Sequence, residues 1–180
     1  KGQVLTIDGS RTDAADVTTF AYDAASGNLT SITNALGHVT KITRYNANGY
    51  PLTIVDPNGL TTTLGYDKRG RLVTQNEGGE ITRFAYTAWG DVRMITLPDG
   101  SFLAYTYDAA HRLTRVTDTQ GNRIVYTLDK EGNRTKEEVF DSSGNLAQTQ
   151  SRVFDTMNRL AQIKGANQQK TVLTYDNKPH

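Results

Sequence analysis

No cysteine occurs anywhere in the 180 residues, which excludes a disulfide framework and any thiolate metal site. Neither sign of charge is in excess: 20 basic and 19 acidic residues leave a formal charge of +1, with no basic stripe or acidic tail. Nothing electrostatic therefore points to nucleic acid or to an anionic membrane surface. No segment approaches the ~20 consecutive apolar residues of a membrane helix, and "KGQVLTIDGS" has no apolar stretch of signal-peptide length. Hydrophobic residues make up only 36%, low for a compact core. The chain opens without methionine and stops at "TYDNKPH", so it reads as an excised fragment whose targeting signal lies elsewhere. What is present is 16 glycines, nine tyrosines and threonine in almost every short segment, a composition for turns and strands.

Internal periodicity is the main signal. Aligning on an aromatic or apolar residue followed by a small polar one gives Tyr22-Asp23, Tyr45-Asn46, Tyr66-Asp67, Tyr86-Thr87, Tyr107-Asp108, Leu128-Asp129, Phe154-Asp155 and Tyr175-Asp176. Successive spacings are 23, 21, 20, 21, 21, 26 and 21 residues, too regular for chance. A strand of alternating character runs into each tyrosine: Phe20 and Tyr22, Leu64 and Tyr66, Phe84 and Tyr86, and Tyr105 and Tyr107 share a face, with small or polar residues between. That period of two predicts strands with one apolar face, and no segment offers a helical period. The chain is predicted to be all-β.

Each tyrosine leads into Asp-x-x-Gly or a variant, and a second turn signal closes the unit at Asp56-Pro57-Asn58-Gly59, Pro98-Asp99-Gly100, Gln120-Gly121-Asn122 and Ser143-Gly144-Asn145. Aspartate accepts a hydrogen bond from the backbone two residues on, and glycine takes the left-handed conformation of a short hairpin loop. Asp23, Gly27, Gly49, Asp67, Gly70, Gly90, Asp108, Asp129 and Gly132 are the turn residues on this reading. Each repeat of about 20–21 residues is then one β-hairpin. The second strand is less regular. Leu113 and Val116 are three apart, which requires either a bulge or burial of both faces. Residues 1–16 read as a degenerate leading repeat or linker, 17–176 as eight repeats with the last truncated and an insertion near 134–150 as a longer, protruding hairpin, and 177–180 as a cut-off tail.

Candidate chemistry is sparse. His38, His111 and His180 fall in different repeats or at the terminus, and His111 stands where other repeats carry the turn glycine. No metal or other cofactor is expected. The recurrent aspartates are spaced too widely for a calcium roll and read as turn caps. Glu137 and Glu138 point to opposite faces of a strand and make no dyad. Ser142 and Ser143 have no nucleophile motif around them. The chain is not expected to be an enzyme. Trp89, just before Gly90, is the aromatic singled out as a ligand contact.

"YDKRGRL" at Tyr66, "YDAASGNL" at Tyr22 and "YDAAHRL" at Tyr107 resemble the YD repeat. That repeat defines bacterial Rhs polymorphic toxins, the B and C components of Tc toxins, and animal teneurins. "GNLTSITNALGHVT" and "PLTIVDPNGLTTTLGYD" look specifically like bacterial Rhs proteins. The resemblance implies hairpins joined edge to edge into a curved, twisted strip, part of a larger shell that encloses a C-terminal toxin. Its wall residues would be Tyr22, Tyr45, Tyr66, Tyr86, Tyr107, Leu128, Phe154 and Tyr175. It implies as partners the rest of the parent shell and its cargo, and a secreted or cell-surface location. Unpaired strand edges at the ends of the strip should, separately, favour self-association. The alternative function is an extracellular repeat surface that binds carbohydrate or a cell-surface partner.

Overall fold

The computed structural model describes residues 2–11, 13, 16–167 and 169–176. The expected tail at 177–180, with His180, lies outside the described residues, as do parts of the leading segment. Among the described residues there is no helix. Among the described residues sixteen strands follow one another, and within each of two units neighbours in the chain are neighbours in the sheet. The chain divides into two compact units, residues 1–84 and 85–180.

The first unit holds β1 (Thr6–Ile7), β2 (Thr18–Tyr22), β3 (Leu29–Thr33), β4 (Val39–Tyr45), β5 (Pro51–Val55), β6 (Thr61–Tyr66), β7 (Leu72–Glu77) and most of β8 (Glu80–Tyr86). The second holds β9 (Val92–Thr96), β10 (Phe102–Tyr107), β11 (Leu113–Asp118), β12 (Arg123–Leu128), β13 (Arg134–Phe140), β14 (Leu146–Phe154), β15 (Leu160–Gly165) and β16 (Lys170–Val172). Every pairing within each unit is antiparallel, which two tight turns per repeat dictate. The 26-residue spacing is taken up by β13 and β14, of seven and nine residues.

A bulge resolves the irregular second strand. Thr106 pairs with Arg115 but Tyr107 pairs with Leu113, so Thr114 is left over. The same step omits Thr30 opposite Tyr22, Val73 opposite Tyr66, Thr135 opposite Leu128 and Ala161 opposite Phe154. The extra residue restores Leu113 and Val116 to one face, opposite Tyr107 and Tyr105. The hydroxyls of Thr114 and Thr135 donate to the carbonyls of Thr106 and Thr127 at 3.1 Å and tie down the bulge.

Register then sorts the side chains. Phe20 lies opposite Ile32, Ile42 opposite Ile54, and Tyr66 opposite Leu72 in the first unit. Tyr105 lies opposite Val116, Val116 opposite Ile124, and Ile124 opposite Val139 in the second. These direct cross-strand pairs stabilise a sheet without a second layer. A second layer is in fact missing, because no described residue is buried. The accessible surface is 12416 Å², whereas one compact 19.8 kDa body would expose about 8,600 Å² and two separate compact halves about 10,400 Å². The low hydrophobic fraction corresponds to a sheet with no core of its own.

Candidate functional site

The repeated tyrosine sits where two strands part. The β9–β10 ladder consists of Phe102↔Thr96, Leu103↔Ile95 and Ala104↔Met94, and β15–β16 likewise has three pairs. Beyond them each strand pair forks, and the tyrosine hydroxyl spans the fork. Tyr107 donates to the carbonyl of Val92 at 2.8 Å, Tyr175 to that of Leu160 at 2.8 Å, and Tyr22 to that of Val4 at 2.9 Å. Tyr45 donates in the same way to Leu29. Tyr66 instead stacks on Tyr50, ring centroids 5.2 Å apart. Burial pushes the phenols of Tyr45, Tyr66 and Tyr107 above their ordinary pKa, with Asp91 and Tyr105 adding to it at Tyr107. Leu128 and Phe154 occupy the same place without a hydroxyl. Tyr86 closes β8.

The polar residue after each tyrosine builds the turn. Asp67 donates its N–H to the carbonyl of Arg71 at 2.9 Å and accepts from Gly70 N–H at 3.0 Å. Its Oδ1 accepts from Arg69 and Arg71 N–H at 2.8 and 3.0 Å. Gly70 closes this three-residue loop at φ 77, as a glycine bulge requires. Asn46, Asp108 and Asp155 repeat the frame, and Thr87 does so through its hydroxyl. Asp23, Gly27, Gly49, Gly90, Asp129 and Gly132 all lie in these turns. Asp56, Asp118 and Asp141 use the same chemistry in the hairpin turns at the other end of their strands.

Sequence reasoning missed the fourth residue after the aspartate. It is Arg71, Arg112 or Arg159, or else Asn122, Asn133 or Asn145, and its side chain returns to Oδ2 of its own aspartate at 2.7–3.0 Å. The recurrent Asp-x-x-x-Arg/Asn spacing was the available signal. These contacts hold the carboxylates below their usual pKa. At Asp67 the Arg71 side chain is the main cause, at Asp118, Asp129 and Asp141 the asparagine side chain, and at Asp108 and Asp155 the arginine backbone N–H. Oriented by Asp108, Arg112 also reaches the next turn, donating from Nη1 to the carbonyl of Asp129 at 2.8 Å.

Trp89 is 82% exposed at the β8–β9 tip. Its ring stands edge-on to His111, centroids 5.6 Å apart, and His111 Nδ1 lies 2.8 Å from Asp91 Oδ2. His111 holds φ 62, the left-handed conformation that glycine takes in the other turns. A cavity of 750 Å³ opens beside this group, between Arg93 and Tyr105. His38 is bonded within its own turn, to Asn34. Glu137 and Glu138 are half-buried, each with its own cation: Arg152 at 3.9 Å and Lys136 at 2.7 Å.

Comparison with known proteins accounts for the repeat. The RHS Repeat profile matches residues 45–81, 86–123 and 107–138, together half of the chain. The chain belongs to the Rhs repeat family. This Rhs-repeat chain is 33% identical over 123 residues to double-stranded DNA deaminase toxin A of Burkholderia cenocepacia (strain H111), covering 64% of this chain and 8% of that protein. Among solved structures it resembles TcdB2-TccC3, with a TM-score of 0.71 at 15% identity over 90% of this chain and 10% of that one. It also resembles TcdB2-TccC3 without the hypervariable C-terminal region, with a TM-score of 0.67 at 17% identity over 95% of this chain and 12% of the other. At such identities the likeness is one of fold. The Rhs-repeat chain spans between 8% and 12% of the length of these relatives.

Proposed function

We propose that these residues are one stretch of wall in a larger, exported Rhs shell around a toxin carried by the same polypeptide, and that the stretch has no catalysis of its own. The observation that carries this reading is a well-paired sheet in which no described residue is buried. Such a layer is stable edge to edge but leaves apolar surface on its faces, which is what a wall presents to further wall and to contents. Tyr22, Tyr45, Tyr66, Tyr86, Tyr107 and Tyr175, with Leu128 and Phe154, are the wall residues, and the turn aspartates keep the hairpins in register. Membership of the Rhs family and a relative named as a toxin support the reading.

Limited proteolysis of the full parent polypeptide, followed by mass spectrometry, tests it. A C-terminal segment that survives within the parent but is digested when expressed alone is the expected result. Equal digestion in both settings overturns enclosure.

A further inference from the structure

The forks along the tyrosine edge are not equally secured. At β9–β10 three backbone pairs are backed by the Tyr107 hydroxyl on Val92, and at β15–β16 three pairs are backed by Tyr175 on Leu160. At β5–β6 three pairs are backed by the Tyr50–Tyr66 stack. The β13–β14 fork ends in Phe154 without a hydroxyl, but its ladder runs to five pairs, from Lys136↔Ser151 to Phe140↔Leu146. The β11–β12 ladder has only Arg115↔Val125, Val116↔Ile124 and Thr117↔Arg123, and the residue in the tyrosine position is Leu128. Among the described residues it is the fork with so short a ladder and no aromatic ring across it. What crosses it is one bond, from Arg112 to the Asp129 carbonyl, made by a side chain about one-third exposed to water.

We propose that the β11–β12 fork is a compliant seam, the fork away from the chain ends that opens most readily, with Arg112 as its latch. The use of such a seam, release of what the wall encloses, rests on the wall reading above; the opening itself does not. Strands held by few ladder bonds and one partly buried side-chain contact, with no ring across the fork, open locally at lower free energy than their neighbours.

Hydrogen exchange with mass spectrometry on this chain measures the opening directly. Peptides from 113–118 and 123–128 are expected to exchange faster than their counterparts from 92–96 and 102–107. Leu128→Tyr, which restores the hydroxyl, should slow exchange at β11–β12 by about two- to tenfold, the factor one hydrogen bond supplies. Leu128→Phe supplies the ring alone and should recover less. Tyr107→Phe, which keeps the ring and loses the hydroxyl, should speed exchange at β9–β10 without reaching the rate of β11–β12. Equal rates at the two forks in the unaltered chain, or no slowing in Leu128→Tyr, overturns the seam. Neither outcome bears on enclosure, which the proteolysis of the parent reads separately.

Discussion

The phenol of Tyr107 and the carbonyl of Val92, 2.8 Å apart, join two strands whose backbone ladder has already ended three residues earlier at Ala104↔Met94. The ring and the hydroxyl therefore do separable work. Tyr107→Phe should remove about 0.5–1.5 kcal/mol, one net hydrogen bond, and leave the sheet intact. Tyr107→Ala should cost clearly more, because the cross-strand contact with Leu113 goes too. Urea denaturation of both variants checks this: the two midpoints should fall in that order, with m little changed for phenylalanine.

Acid should loosen the turns together. Asp67, Asp108, Asp118, Asp129, Asp141 and Asp155 all titrate below the ordinary carboxylate range in the folded chain. A depressed folded pKa means that stability is fully present above the unfolded value of about 4 and is lost as pH falls through the folded value. Thermal melts should be flat from neutral pH to about 5 and decline below about 4. Asp67→Asn and Asp108→Asn combined should flatten that decline, since Asn46 already shows that an amide oxygen accepts the same pair of N–H bonds. An unchanged acid limb in the double variant would place the acid sensitivity elsewhere.

His111 offers a gain of stability. A side chain at φ 62 costs about 1–2 kcal/mol relative to glycine, while an exposed imidazole–carboxylate contact such as that with Asp91 returns about 0–1 kcal/mol. His111→Gly should therefore raise the melting temperature by a few degrees, and His111→Ala, which keeps the strain and loses the contact, should lower it. Asn158, at φ 64, already belongs to the residues that tolerate this conformation, so Asn158→Gly should gain less.

The hairpin array was legible because its determinants are local. Alternation into Tyr66 or Tyr107 and the Asp-x-x-Gly turn lie within a few residues, and the three-residue step from Leu113 to Val116 already raised the bulge as one of two readings. The contacts between hairpins were not legible. Tyr107 meets Val92 across 15 residues, Arg112 meets Asp129 across 17 and His111 meets Asp91 across 20. Their partners are carbonyls or residues in a neighbouring repeat, which no pattern inside one repeat specifies. The resemblance marks the tyrosines as wall residues, and the carbonyls their hydroxyls reach, such as that of Val92, are visible only in the structure.

Gly65 is the strictest steric test of this register. It pairs with Thr74 one step before the bulge, and its φ is not in the left-handed region, so space rather than backbone freedom sets its identity. A Cβ built at Gly65 would stand 2.3 Å from Thr74 Oγ1, and something must shift. Gly65→Ala should therefore destabilise the chain by about 1–3 kcal/mol, the usual cost of overpacking. Thr74→Ala removes the obstructing hydroxyl and methyl at a half-buried position and should cost less than Gly65→Ala. The double variant should be more stable than Gly65→Ala alone, because alanine at 65 then finds room and fixes the backbone better than glycine. A double-mutant cycle from denaturation midpoints reads the coupling: a favourable term of about 1 kcal/mol or more supports the direct clash. Strict additivity would mean that the strand adjusts around the new methyl and that the bulge is not pinned at this pair.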